Sequence, residues 1–197
     1  MKTLRIASIA LALLVSTICF AGAQTFTGTF SGLNEVPPNA SAGTGTATVT
    51  FNLALHTLTI QATFSNLTGT VTAAHLHAPA FPGVNAGVAT QTPTLSGFPS
   101  GVTFGTYNMT FDTLNVATWN AAYVTANGGT AAGAETAFAN ALMNGQAYFN
   151  IHTNTFPGGE IRANLVPEPS TYALLTVGLL CAGLSIWRRR GHVGAIS

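Results

Sequence analysis

Charged side chains are scarce in this sequence. Of 197 residues, six are Lys or Arg and five are Asp or Glu. Between residues 24 and 166 there is no lysine, and Arg162 is the single cation beside four acids. Proteins that bind nucleic acids need patches of Lys and Arg to contact phosphates. Their absence here excludes that class, and the surface must be built from Thr, Asn, Ser and Gly.

Cysteine is almost absent too, since Cys19 and Cys181 both lie near the ends of the chain. Residues 24–166 therefore have no disulfide and must rely on a hydrophobic core, for which a single domain of this length suffices. They also offer no thiol nucleophile and no evident Ser/His/Asp spacing. We therefore expect a protein that is not an enzyme.

The first 23 residues predict a secretory signal peptide. A basic head, "MKTLR", precedes an apolar stretch and the small residues Ala21, Gly22 and Ala23. This order is typical of signal peptides, with cleavage after Ala23. The chain is expected to be exported.

The other end reads "VPEPSTYALLTVGLLCAGLSIWRRR". The apolar run from 172 to 187 is just long enough to span a bilayer, and the arginines after it predict a cytoplasmic end. Residues 167–190 thus form an expected transmembrane tail, followed by a short cytoplasmic tail, 191–197. The arrangement closely resembles the PEP-CTERM sorting signal of Gram-negative bacteria, which implies processing by an exosortase at the inner membrane and delivery to the cell surface or extracellular matrix. The residues that match the signal are Pro167, Glu168, Pro169, Arg188, Arg189 and Arg190.

Alternation of apolar and polar residues predicts β-strands in the first half of the remaining domain. In "TGTATVTFNLALHTLTIQATF", one strand turns its apolar residues inward from Ala47 to Leu55, and a second does so from Leu58 to Phe64. His56 falls at the turn between them, where a solvated histidine is expected. In "GVTFGTYNMTF" the alternation slips by one residue at Gly105, which indicates a β-bulge.

The second half adds helices and a final hairpin. Alanine-rich residues 131–143 predict a helix ended by Gly145, and the segment before them predicts a shorter one. "AYFNIHT" and "GEIRANL" predict two strands joined by a turn. We therefore expect a mainly β domain over residues 24–166, an antiparallel sandwich or barrel with one or two short helices.

The stretch "AAHLHAPA" contains His75 and His77. Residues i and i+2 of a strand project to one face, so both imidazoles lie opposite Leu76, on the outer face if Leu76 enters the core. The predicted hairpin places His152, Glu160 and Arg162 on its own outer face. If the strands of His77 and His152 are neighbours, three imidazoles converge.

Two interpretations of these histidines remain open. Three neutral imidazoles suit zinc or copper, with Glu160 as a candidate for orienting a ligand from behind. Alternatively, the histidines decorate a polar face and hydrogen-bond to neighbours. Glu160 and Arg162 could also pair with each other or with a cross-strand partner on the strand surface, and Glu35 is expected to anchor its loop.

Three ordered motifs resemble the CHRD domain, a family first named from chordin. They are "SGLNEVPPNASAGTGTATVTF", "AAHLHAPA" and "GQAYFNIHTNTFPGGEIRANL", and the resemblance spans residues 26–165. It implies an immunoglobulin-like β-barrel distantly similar to copper–zinc superoxide dismutase, with His75, His77 and His152 matching the family's histidines. It implies no particular enzymatic activity. A dinuclear centre of the dismutase kind needs more histidines than residues 24–166 contain, so at most one metal ion is expected.

We therefore expect an exported, exosortase-sorted protein that acts non-enzymatically at the cell surface or in the extracellular polymer matrix, where a polysaccharide or surface protein is the expected partner. The alternative is a mononuclear protein that binds one Cu or Zn ion through His75, His77 and His152. No other cofactor is expected.

Overall fold

The structure is a computed structural model that describes residues 22–168, together with Leu180 and Gly183. The predicted signal peptide and the predicted transmembrane helix with its arginines fall almost wholly outside the described residues, as does the short tail 191–197. Among the described residues, no helix is long and apolar enough to cross a bilayer.

Eight strands form one antiparallel sheet, in the spatial order β4-β6-β7-β1-β2-β3-β5, with β8 pairing with β1. The prediction of a mainly β domain with short helices is confirmed. The strands are β1 (Gln24–Ser31), β2 (Thr44–Asn52), β3 (Thr57–Ser65), β4 (Val71–His77), β5 (Gly105–Asp112), β6 (Tyr148–Thr153), β7 (Ile161–Asn164) and β8 (Val166–Pro167).

The alternation of β2 and β3 carries over into the structure. Val49 and Ile60 pair across the two strands and are fully buried, with threonines on the opposite face. Leu55 was expected inside but is 70% exposed. The reason is that β2 ends at Asn52, whose side chain accepts hydrogen bonds from the amides of Ala54 and Leu55 and closes the turn.

Two helices, α1 (Ala121–Ala126) and α2 (Ala131–Met143), connect β5 to β6. Asn120 caps the first and Thr130 the second, each accepting from an amide in the first turn. After α2 the chain leaves through Gly145 at φ 65°, a left-handed conformation that glycine adopts without strain. Both predicted helices are confirmed, and Phe138 of α2 packs against Phe51 of the sheet.

The predicted bulge in β5 is wrong. The register between β3 and β5 runs without a shift from Phe64 opposite Gly105 to Thr57 opposite Asp112. The strand begins at Gly105, and the preceding Phe104 lies outside it, 70% exposed. The change of phase therefore marks the start of a strand. A register shift does occur in β4, between Val71 and Ala73, opposite β6.

The connection between β4 and β5, residues 78–104, covers the free edge of β4. Backbone amides of Ala89 and Leu95 donate to the carbonyls of Leu76 and Ala74 at 2.9 and 3.0 Å, and the amide of Gly101 donates to Val71 at 2.9 Å. We call residues 78–104 the cover segment. Because of it, the end of β4 is buried on both faces.

Candidate metal centre

Strands β4 and β6 are neighbours, and their register brings three histidines together. Ala73 lies opposite His152, and the next pair of residues on the same face is His75 opposite Asn150. The ring centroid of His75 is 5.2 Å from that of His152 and 5.9 Å from that of His77, and the His77 and His152 centroids are 6.1 Å apart. The three imidazoles therefore converge as the alternation suggested.

Each imidazole is oriented by one backbone carbonyl. Nε2 of His75 lies 2.7 Å from the carbonyl oxygen of Pro93, Nδ1 of His77 lies 3.0 Å from that of Ala86, and Nδ1 of His152 lies 2.9 Å from that of Pro157. A carbonyl oxygen can only accept, so these ring nitrogens carry the proton. The other nitrogen of each neutral ring is thereby left with a free lone pair.

Those remaining nitrogens are His75 Nδ1, His77 Nε2 and His152 Nε2, and all three are buried without a hydrogen-bond partner among the residues that the structure describes. One ligand nitrogen from each residue lies within 4.8 Å of the others. Bonds of about 2.0 Å to one ion would bring such nitrogens to about 3.3–3.5 Å from one another, so binding would shorten the 4.8 Å separation by about 1.4 Å. A histidine that is fixed through one nitrogen by an acceptor and free at the other has the arrangement of a metal ligand.

Burial favours the neutral, metal-competent form of all three rings. Desolvation lowers the pKa of His77 to about 4 and lowers the pKa of His75 and of His152 in the same direction. The carbonyl hydrogen bonds oppose this effect only in part, and the Arg162 charge adds to it at His77 and His152. The lowered pKa values therefore favour the neutral rings, which can bind a cation, over the protonated ones.

The face that carries the histidines is not the wet outer face that the alternation predicted. His75 is 6% exposed and His77 is 7% exposed. Alternation correctly places both histidines on the face of β4 opposite the core residue Leu76. The cover segment, however, lies over that face and shields it from solvent.

Arg162 fixes the cover segment above the cluster. Its guanidinium pairs with Glu35 at 3.2 Å, donates to the carbonyl of Val84 at 3.2 Å and to the side chain of Asn85, and stacks on the ring of Tyr148 at 3.9 Å. The expected pairing of Arg162 at an exposed strand surface, with Glu160 or with a cross-strand partner, is therefore wrong: Arg162 is only 2% exposed and pairs with Glu35, which lies outside the strands. The anchoring role expected for Glu35 is confirmed.

Tyr148 links this anchor to the histidines. Its ring stacks on His77, with centroids 4.7 Å apart and planes 6° from parallel. Its hydroxyl accepts from the amide of Ala86 at 3.0 Å and donates to the carbonyl of the same residue at 3.2 Å. That carbonyl also orients His77. Tyr148 had no sequence signal beyond its place beside Asn150 and His152 on one strand face.

Glu160 lies close in sequence to the cluster but turns elsewhere. Its carboxylate accepts from the amides of Thr68 and Gly69 and from the hydroxyls of Ser41 and Thr153. Among the described residues, none of its hydrogen bonds goes to an imidazole. The predicted role of Glu160 in orienting a histidine ligand stays a prediction, and no hydrogen bond among the described residues supports it.

His56 lies apart from the cluster, at the turn between β2 and β3 as predicted. Its Nδ1 is 3.0 Å from Oε1 of Glu135, a buried carboxylate of α2 that also accepts from Thr113. This histidine therefore ties the turn to the helix.

Comparison with protein families agrees with this architecture. The model of the CHRD domain matches residues 26–165. The chain belongs to the CHRD-domain family. The model of the PEP-CTERM protein-sorting motif matches residues 165–190. No curated protein and no solved structure matches the chain.

The two matches describe different properties of the chain, namely its domain type and its sorting. The sorting motif supports export, a membrane-anchored intermediate processed by an exosortase, and a final location at the surface or outside the cell. Neither the CHRD domain nor the sorting motif defines a family of enzymes. The CHRD domain is thus a secreted, surface-directed domain, and its described part contains a cluster of three histidines that could hold a metal ion.

Proposed function

We propose that this chain delivers a non-catalytic CHRD domain to the surface or extracellular matrix of a Gram-negative bacterium, where the domain holds one transition-metal ion. His75, His77 and His152 are the proposed ligands. The observation that carries the proposal is the convergence of three buried, unpartnered ring nitrogens. Three lone pairs facing one another without a donor are costly to bury, and a shared cation offsets that cost.

Elemental analysis of the exported protein, purified without chelators, tests this proposal. We expect about one ion of copper or zinc per chain, the number that three imidazoles can hold. His77→Ala and His152→Ala should abolish it. His56→Asn is the matched control, since His56 lies outside the cluster and Asn tolerates its φ of 52°. Metal at less than about a tenth of an equivalent, or equally present in His77→Ala and His56→Asn, contradicts the proposal.

The sorting signal defines a second part of the proposal. We propose that the signal peptide ends at residue 23, that residues 24–166 form the mature domain, and that an exosortase recognises Pro167, Glu168 and Pro169 together with the membrane helix and the arginines Arg188, Arg189 and Arg190. Replacing Pro167 and Glu168 by alanine should leave a longer, membrane-bound protein, seen by mass spectrometry of cell fractions. Release of normally processed protein from that variant contradicts this assignment.

A second candidate function rests on the outer face of β1, β2, β3 and β5. Three rows of hydrogen-bonding side chains cross these strands, and the rows contain no charged and no apolar residue. In order across the sheet they are Thr25, Thr50, Thr59, Thr110; Thr27, Thr48, Gln61, Asn108; and Thr29, Thr46, Thr63, Thr106. Such an uncharged array of hydroxyl and amide groups is suited to a neutral polysaccharide of the extracellular matrix.

Binding to a matrix polysaccharide fraction tests this second candidate. The double variant Thr48→Lys/Thr63→Lys places two charges in the array and should weaken binding by at least about tenfold, because each lysine must be desolvated against a neutral polymer. Thr125→Lys, on the exposed side of α1, is the control and should bind as the wild type does. Equal binding by all three proteins would rule out this face as the contact.

A further inference from the structure

The donor groups around the cluster restrict which cation it can hold, and the inference drawn here rests on the metal site proposed above. Both neighbouring carboxylates are already engaged. Glu160 accepts four hydrogen bonds from residues on other elements, and Glu35 accepts from Asn150 and Arg162. Within residues 22–168, the ligand set is therefore three neutral imidazoles without an anion.

The three ligand nitrogens are also out of contact with bulk solvent. The three unpartnered nitrogens are buried, and the cover segment is fastened above them by Pro93 on His75 and by Ala86 on His77. Zinc in proteins is almost always four-coordinate, and sites with three protein ligands complete the set with water. Here a fourth ligand taken from bulk solvent has to enter past the cover segment or past the half-buried ring of His152.

The charge of the bound ion also disfavours Zn(II) at this site. The cost of burying an ion rises with the square of its charge, so a divalent ion without an anionic ligand is far more expensive than a monovalent one. Within residues 22–168 the one Lys or Arg is Arg162, whose charge already opposes protonation of His77 and His152. Its partner Glu35 offsets that charge but is hydrogen-bonded to Asn150 and Arg162 rather than directed at a ring nitrogen.

We propose that the cluster of His75, His77 and His152 is a three-coordinate site for a monovalent d¹⁰ cation, Cu(I), and that it selects Cu(I) over Zn(II). Cu(I) accepts three-coordinate geometry, carries a single charge and binds imidazole nitrogen. Ag(I), which has the same charge and electron configuration, should occupy the site without redox chemistry.

Asn150 offers the strongest competing arrangement. It lies on the face of the histidines, opposite His75 and two residues before His152. Its Nδ2 donates to both oxygens of Glu35, which leaves Oδ1 buried without a partner. If this oxygen completed a four-coordinate site, zinc would be favoured instead.

Competition on the full exported protein decides between these arrangements. The metal-free protein is titrated under anaerobic conditions with Zn(II), with Cu(I) and, in parallel, with Ag(I), and X-ray absorption gives the coordination number of each bound ion. We expect a three-coordinate Cu(I) spectrum, displacement of Zn(II) by one equivalent of Cu(I), and Cu(I) retained against about a hundredfold excess of Zn(II), a margin of about 2.7 kcal/mol. Asn150→Ser should leave Cu(I) binding within about twofold of the wild type.

Two other outcomes of the titration would contradict the Cu(I) assignment, and they differ in what they imply for the metal site. A four-coordinate Zn(II) that resists Cu(I), with a loss of affinity in Asn150→Ser, overturns the Cu(I) assignment while leaving the proposed metal site intact. If none of the three ions binds in a manner that His77→Ala and His152→Ala abolish, both the assignment and the proposed metal function fail. Circular dichroism of each variant confirms that lost binding does not reflect an unfolded domain.

Discussion

Arg162 is the only Lys or Arg between residues 24 and 166, and it is buried in contact with four neighbours. It pairs with Glu35, supports Val84 and Asn85 of the cover segment, and stacks on Tyr148. A buried ion pair is weak evidence for stability in itself, because desolvating both charges opposes their attraction. Removing only Arg162 has a different effect, because the carboxylate of Glu35 then stays in the core without its ionic partner.

We expect Arg162→Met to lower the free energy of unfolding by about 3–5 kcal/mol, the cost typical of breaking a buried pair on one side. Urea unfolding followed by circular dichroism measures this. The double variant Glu35→Gln/Arg162→Met should recover part of the loss, because no unpaired charge remains. A loss below about 1 kcal/mol in the single variant would show that the pair is not buried as described.

The carboxylate of Glu160 makes a contribution to folding stability that depends on pH. Burial by itself raises the pKa of this carboxyl, but hydrogen bonds from Ser41 and Thr153 and from the amides of Thr68 and Gly69 outweigh it and lower the pKa below the ordinary value of 4.5. A carboxylate with a lowered folded-state pKa stabilises the fold above the unfolded-state pKa. This contribution is lost as pH falls below about 4.5.

Glu160→Gln should therefore cost about 1–3 kcal/mol at pH 7, because an amide group cannot accept from all four donors. The difference from the wild type should shrink as pH is lowered below about 4.5, where the wild-type carboxylate takes up a proton. Urea unfolding across this range measures both effects. Asp112→Asn, at an exposed position of the domain where the side-chain oxygen can still accept from the amide of Leu114, is the control and should leave the free energy of unfolding at pH 7 close to that of the wild type.

At the scale of elements, the alternation of β4 and β6 identified which residues share a face, but it carried no information about what covers that face. Residues 78–104 lack a period, and their contacts with His75 and His77 run through backbone carbonyls, which every residue possesses. The pairing of Arg162 with Glu35 joins positions 127 residues apart. A single sequence does not indicate such a partner, and it offers only Glu160 or an unnamed cross-strand residue as a partner for Arg162.

The same limit explains the errors at element ends. Leu55 and Phe104 both continue an apolar alternation, yet each lies just outside a strand and is exposed. Alternation reports which way side chains would point if the strand continued, whereas the end of a strand is set by local hydrogen bonds such as those of Asn52. The helices were easier to predict because their caps and Gly145 are local signals.

The cover segment is held by two tyrosines, and this leads to a paired prediction. Tyr148 bonds to the backbone of Ala86 above the histidines, and the hydroxyl of Tyr107 donates to the carbonyl of Ser96 at 2.8 Å further along the segment. Tyr148→Phe should speed hydrogen exchange at the Ala86 amide by about tenfold or more, because this amide then loses its acceptor. A tenfold change corresponds to a decrease of about 1.4 kcal/mol in the free energy of local opening.

Tyr107→Phe is the matched control, with the same chemical change at the other anchor. It should leave exchange at Ala86 close to the wild-type rate. Exchange measured by nuclear magnetic resonance on metal-free protein keeps the result independent of metal binding. If both variants protected Ala86 equally well, Tyr148 would not be the anchor of this part of the segment.

At the scale of the whole domain, the few charges are placed inside. Among residues 24–166, Glu35, Glu135, Glu160 and Arg162 are all buried, and Asp112 is the exposed charged residue. The outer sheet face is covered by threonines that bond to one another across strands, as Thr59 does with Thr110 at 2.8 Å. Such a surface binds water and hydroxyl groups without attracting counter-ions.

Any partner of this surface should therefore be recognised without electrostatic attraction. We expect binding of the processed protein to a matrix polysaccharide to change by less than about twofold when NaCl is raised from about 20 mM to about 500 mM, because screening acts only on charges. Isothermal titration at the two salt concentrations measures this. The variant Thr48→Lys/Thr63→Lys serves as the contrast, since any residual binding that it has to an acidic polymer should weaken with salt. A wild-type affinity that falls tenfold or more over the same range would mean that the partner contacts Asp112 or another charged group, and the threonine rows would then not be its binding face.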